Sequence, residues 1–178
     1  MNKILKNKKG FTLLELLAVL ILISILGTGL YYVASKVSDS NDAKTEDKNV
    51  QLIANALRST YGNTASFAGL SGSMPQLIST GVFPGSIVSN STLVNKWGGT
   101  ITVNSYSVSP GTDNYFDITE TNIPSNICNK LASSTAGAFP VVNINGTSFK
   151  SSSVTNPDPT ASIALCNNKT NTIDFIGQ

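Results

Sequence analysis

Between Phe11 and Ala34 lie 24 residues with a single charge, Glu15, and the position of that carboxylate calls for a chemical reason. An acid at mid-membrane depth costs ~2.5 to 3.5 kcal/mol. Five residues earlier stands Gly10, which closes a cluster of Lys3, Lys6, Lys8 and Lys9. Hydrolysis of the Gly10–Phe11 peptide bond would account for the acid, because it creates an α-amino group on Phe11 about one helical turn away, at the positive end of the helix dipole. The amine need not belong to the same chain. In a bundle of such helices the carboxylate of one copy can neutralise the amine of the next. Removing one side of a buried pair costs about 3 to 5 kcal/mol, so the contact enforces axial register more than it adds stability. Gly10 offers a protease an extended, side-chain-free backbone.

Cys128 and Cys166 are the second candidate pair. Both lie beyond the apolar run, in the part that the lysine bias sends outward, so a disulfide is the natural reading, with two reduced core thiols as the alternative. Closing a loop of that size stabilises by ~4 kcal/mol in the chain-entropy model. Two thiols without a single histidine make a poor zinc set. The missing histidine also deprives any serine or cysteine nucleophile of its usual base, and no P-loop, G-x-G-x-x-G or metal-ligand cluster is present. Asp113, Asp117 and Glu120 form the one local acidic group outside the long N-terminal segment. They offer too few converging oxygens for calcium and read as a solvated strand face. No enzyme, cofactor or metal is expected.

The elements that must position these residues follow from periodicity and charge. A helix over the 24 residues from Phe11 to Ala34 reaches ~36 Å against roughly 30 Å of hydrocarbon, so it can span a membrane. Lysines before it predict a cytoplasmic amino end. An ordinary secretory signal peptide is the competing reading, with small residues around Ala34 and Ser35, but its apolar region is shorter and carries no acid. Of the twelve basic residues, four precede Gly10, leaving eight against ten acidic ones, or −2, so the rest of the chain has no cationic face for nucleic acid.

The helix continues through the polar stretch 35–49 into Val50, Ile53, Ala54, Leu57 and Tyr61, a stripe at helical spacing that must rest on a core, and Gly62 ends it. The expected boundaries are a leader at 1–10, one helix of ~75 Å over 11–61 with 11–34 as membrane or filament core, and a globular head at 62–178. Gly27 and Gly29 either permit local unwinding or allow close helix packing. In the head, "MPQLIST" predicts a short helix. "GTITVNSYSVS" and "NYFDITE" alternate as an antiparallel pair around Pro110 and Gly111, and "IPSNICNKLASS" is a helix carrying Cys128. Asn145-Gly146 marks a hairpin, and "SIALCNNKTNTIDFIG" supplies the last strands. The fold class is α+β: an antiparallel sheet of about five strands on the rear half of the long helix.

"KKGFTLLELL", with its basic leader, glycine at the cut, phenylalanine first, glutamate fifth and an unbroken apolar helix, resembles the class III signal of type IV pilins and pseudopilins. "NKWGGTITV", "SYSVS" and "YFDITETNIPSNICNKL" are similar to the head of type IVb pilins, the group of the conjugative thin-pilus and toxin-coregulated pilus subunits. The ten-residue leader and Phe11 are more like type IVa. The resemblance implies the type IV pilin fold with a disulfide-bounded region from Cys128 to Cys166 at its C-terminal end. It also implies cleavage after Gly10 by a prepilin peptidase, N-methylation of Phe11, and Glu15 as the assembly and register residue. The partners it implies are other copies of the chain in a helical homopolymer, an inner-membrane assembly platform, an assembly ATPase, an outer-membrane secretin and minor pilins. Localisation would pass from the bacterial inner membrane, head periplasmic, to an extracellular pilus used for adhesion, aggregation or conjugal contact. A minor pilin or type II secretion pseudopilin is the alternative, and a membrane-tethered ligand-binding protein a second.

Overall fold

A computed structural model describes residues 12–62 and 66–178. The chain divides into two compact units, Met1–Ser38 and Asp39–Gln178. Helix α1 (Leu13–Tyr61) contributes to both. Its start is set by Thr12, whose Oγ1 accepts the backbone N–H of Glu15 at 3.2 Å while its carbonyl accepts those of Glu15 and Leu16. At the other end a Cβ on Gly62 would stand 2.3 Å from the Arg58 carbonyl oxygen, so a side chain there could not be held without shifting the last turn.

In the larger unit α1 is followed by α2 (Leu70–Ser79), a 3-10 turn at Gly85–Ile87, β1 (Val88–Ser89), β2 (Thr92–Val94), β3 (Thr100–Tyr106), β4 (Tyr115–Pro124), α3 (Ser125–Thr135), β5 (Val141–Ile144), β6 (Thr147–Lys150), α4 (Pro159–Leu165) and β7 (Thr170–Gly177). The sheet has seven strands in the order β1-β2-β3-β4-β7-β5-β6, every pairing antiparallel. Seven strands replace the expected five because the hairpin β1–β2 is too short to show an alternation. Its tip, Asn90-Ser91, takes two positive φ angles without the glycine that usually announces them.

Alternation sets the core face of the sheet. Ile101 and Val103 of β3 and Phe116, Ile118 and Ile123 of β4 point inward, where Ala43, Val50, Ile53, Ala54 and Leu57 of α1 are buried with them. Phe67, Phe116, Phe139 and Phe175 continue this core as a chain of ring contacts 5.2 to 6.5 Å between centroids. The buried face of α1 begins at Ala43 and Glu46, inside the stretch that composition alone marks as solvated.

The Asn145-Gly146 turn adopts φ of 51° and 76° and joins β5 to β6 as the residue pair foretells. The C-terminal segment differs from expectation: only β7 is a strand, and Ser162–Leu165 belongs to α4. Asp158 caps that helix by accepting the Thr160 N–H at 2.9 Å, with Pro159 in its first turn. That cap signal overrides the strand-like look of "SIAL".

Candidate assembly site

The smaller unit presents side chains outward along its length. From Leu13 to Val33 the apolar residues of α1 are exposed, Leu13 and Leu14 at 78%, and this is the one described helix long and apolar enough to cross a membrane. Its Ser24 and Thr28 hydroxyls are satisfied within the helix. The hydroxyl of Ser24 donates to the Leu20 carbonyl at 2.8 Å, and that of Thr28 to Ile25 at 2.9 Å, so neither takes an unpaired donor into an apolar phase. Tyr31 and Tyr32 end the run, and the Lys36 ammonium stands 5.7 Å from the centre of the Tyr32 ring. This aromatic pair and cation close the apolar run about 30 Å along the helix from Leu13.

Glu15 sits in the first turn of α1, exposed. "TLLE" from Thr12 has capping-box spacing, a local signal for a helix start at this acid. The acid therefore lies at the helix end where a negative charge is favoured. Gly10 and Phe11, the expected cleavage and methylation positions, lie outside the described residues. The helix runs unbroken through Gly27 and Gly29, and a Cβ at either would meet nothing within 4 Å. Among the described residues, no neighbour demands glycine there.

Cys128 of α3 and Cys166, just after α4, form a disulfide with their Cα atoms 5.8 Å apart and a sequence separation of 38. Both are buried. The bond ties α3 to the segment that leads into β7.

Around Trp97 the connection from β2 to β3 folds onto β4 through one side chain. Asn95 Oδ1 accepts the N–H groups of Trp97 and Gly99, at 3.2 and 2.8 Å, and its Nδ2 donates to the Thr121 carbonyl at 2.8 Å. Opposite, β4 bulges between Glu120 and Ile123, with Asn122 at φ 59° donating to the Trp97 carbonyl at 2.7 Å. A Cβ on Gly99 would lie 1.9 Å from the Thr121 carbonyl oxygen, which explains the second glycine of "NKWGG".

The acidic group expected as a solvated strand face is not one. Asp117 and Glu120 lie on opposite faces of β4, and Glu120 is wholly buried. Burial, then the neighbouring charge of Asp174, pushes the Asp117 carboxyl up to about 6, with the Thr119 hydroxyl opposing.

Comparison with known proteins accords with this geometry. A family model described as "PilS N terminal" matches residues 40–178, and one described as "Prokaryotic N-terminal methylation motif" matches residues 5–31. The chain belongs to the PilS family of type IV pilins. Its α+β fold is that of the type IVb group. The structure is similar to the type IV pilin TcpA from Vibrio cholerae El Tor biotype, with a TM-score of 0.60 and 16% identity over 79% of this chain and 99% of that one. It is also similar to the type IVb pilin from Salmonella typhi, with a TM-score of 0.60 and 23% identity over 74% of this chain and 97% of that one. A comparison with curated proteins finds no match. In this pilin, then, the described features divide by role: an exposed apolar helix with one acid in its first turn, and a disulfide-closed head.

Proposed function

We propose that this pilin is a structural subunit cut after Gly10 by a prepilin peptidase, N-methylated on Phe11, and polymerised into an extracellular filament. The observation that carries the reading is the exposed apolar face of α1 with Glu15 as its one acid before Ser35. Such a surface needs a solvent other than water. In the membrane lipid provides it, and in a filament the helices of neighbouring copies replace lipid. Glu15 then finds its counter-ion in the Phe11 amine of an adjoining copy, which fixes how far one helix slides along the next.

The remaining machinery lies outside the chain. A cytoplasmic assembly ATPase supplies energy, an inner-membrane platform extracts the subunit, a secretin passes the filament outward, and minor pilins join it. The head faces the periplasm before assembly and the exterior afterwards, where it serves adhesion, aggregation or conjugal contact. The role is structural, without catalysis, in keeping with a family and fold of structural pilins.

Glu15→Ala tests the register role. Cells carrying it should contain processed subunit and yield at least tenfold less protein in sheared surface filaments. Normal filament yield from that variant would contradict the assignment.

A further inference from the structure

Glu46 of α1 and Glu120 of β4 are buried at 1% and 0% exposure, both within the larger unit. They interrupt an otherwise apolar contact. Glu46 lies between Ala43 and Val50 on the helix, and Glu120 is flanked in the sheet by its register partners Ile101 of β3 and Ile173 of β7. The two carboxyls are neighbours across the contact, each acting on the ionisation of the other. Both oxygens of Glu120 and Oε1 of Glu46 accept no hydrogen bond from any other group described.

The surroundings supply little compensation. Asn49 Nδ2 approaches Glu46 Oε2 at 3.4 Å, and the Lys96 backbone lies beside the same carboxyl. Asn95 stands beside Glu120 but gives an amide hydrogen to the Thr121 carbonyl. The Lys96 ammonium is paired with Asp42 on α1, and Lys130 of α3 donates to Ser40 Oγ. The Lys96 charge favours ionised Glu46 and so opposes the effect of burial, but burial is the larger influence and no printed ion pair joins a cation to either acid among the described residues. Two carboxylates this close in a dry contact cannot both ionise without a large cost. One proton removes both difficulties, since the O–H of one acid donates to the other and occupies acceptors that nothing else fills.

We propose that Glu46 and Glu120 share a single proton, making the contact between α1 and β4 a proton-dependent clasp that loosens as the surroundings turn alkaline. The direction follows from linkage. Burial, with the neighbouring acid, raises Glu120 well above the ordinary value of 4.5, and burial raises Glu46. The folded head therefore keeps a proton that the unfolded chain releases. The clasp's contribution is complete below about 4.5 and is lost as pH rises through the raised value of the pair. A clasp of this kind would also fix where α1 sits on the sheet, because sliding by one turn would leave both acids facing hydrocarbon.

The test uses the full chain in detergent micelles, unfolded by urea from pH 5 to 9 and followed by the fluorescence of Trp97, the one tryptophan. An Asp117→Asn background removes the other raised acid. In that background the unfolding constant should rise with pH, by up to roughly tenfold per unit where the shared proton is lost. Adding Glu120→Gln should flatten the rise, because the amide donates permanently. Infrared difference spectra at neutral pH should show a protonated-carboxyl band that disappears with Glu120→Gln, Glu15 being common to both samples. If Glu120→Gln does not fold, Glu46→Gln and the band in the Asp117→Asn protein carry the same test. Equal pH slopes with and without Glu120, or no band lost, would overturn the clasp.

Discussion

Arg58 and Gln178 meet at the end of α1, where the guanidinium Nε–H donates to the Gln178 carbonyl at 2.6 Å. The same guanidinium lies 5.4 Å from the centre of the Phe116 ring. One side chain thus joins the last turn of the long helix, the residue after β7 and the aromatic core. Its charge also suits the negative end of the helix. Arg58→Ala removes a charge-assisted hydrogen bond and a cation–π contact, a loss of about 2 kcal/mol. Thermal unfolding of the full chain in detergent should show a melting temperature lower by about 5 °C.

Reduction of the Cys128–Cys166 bond should act on a similar scale or larger. For two cysteines at a sequence separation of 38, loop closure contributes about 4 kcal/mol. Because both residues are buried, a reductant should open the bond only when the region unfolds. Urea unfolding with and without reductant, or of Cys128→Ser with Cys166→Ser, should give the same loss.

Much of this architecture is legible in the residues because it rests on local periodicity. Ile101 and Val103, Phe116 and Ile118, and the Asn145-Gly146 turn announce their strands and hairpin without help from distant partners. The apolar run, the lysines, Gly10 and Glu15 are equally local. Glu120 is where that reasoning fails. An acid in a β-branched, alternating strand reads as solvent-facing, and only the docking of α1 puts Glu46 opposite it. The strands β1 and β2 fail for the opposite reason, being too short for a period to register. Helix α4 carried its signal in Asp158 and Pro159, which outweigh the strand-like composition that follows.

Asp117 supplies a prediction about pH. Its carboxyl is pushed up to about 6 from an ordinary 3.8, chiefly by burial and then by Asp174. A raised acid favours the folded state most below its ordinary value, and that advantage fades as pH climbs through about 6. Asp117→Asn should therefore be less sensitive than the parent chain between pH 4 and pH 7. Melting temperatures of the two proteins across that interval check it, and the difference in slope isolates Asp117 from the other acids.

Without a new amino terminus at Phe11, Glu15 would lack the counter-ion proposed for it, and the apolar helix would be only a tether. Mass spectrometry of the amino-terminal peptide, from chain purified out of its own bacterial membrane or filaments, tests this directly. The expected peptide begins at Phe11 and carries one methyl group on its amine. A mature chain that retains Lys3 to Lys9 would contradict it.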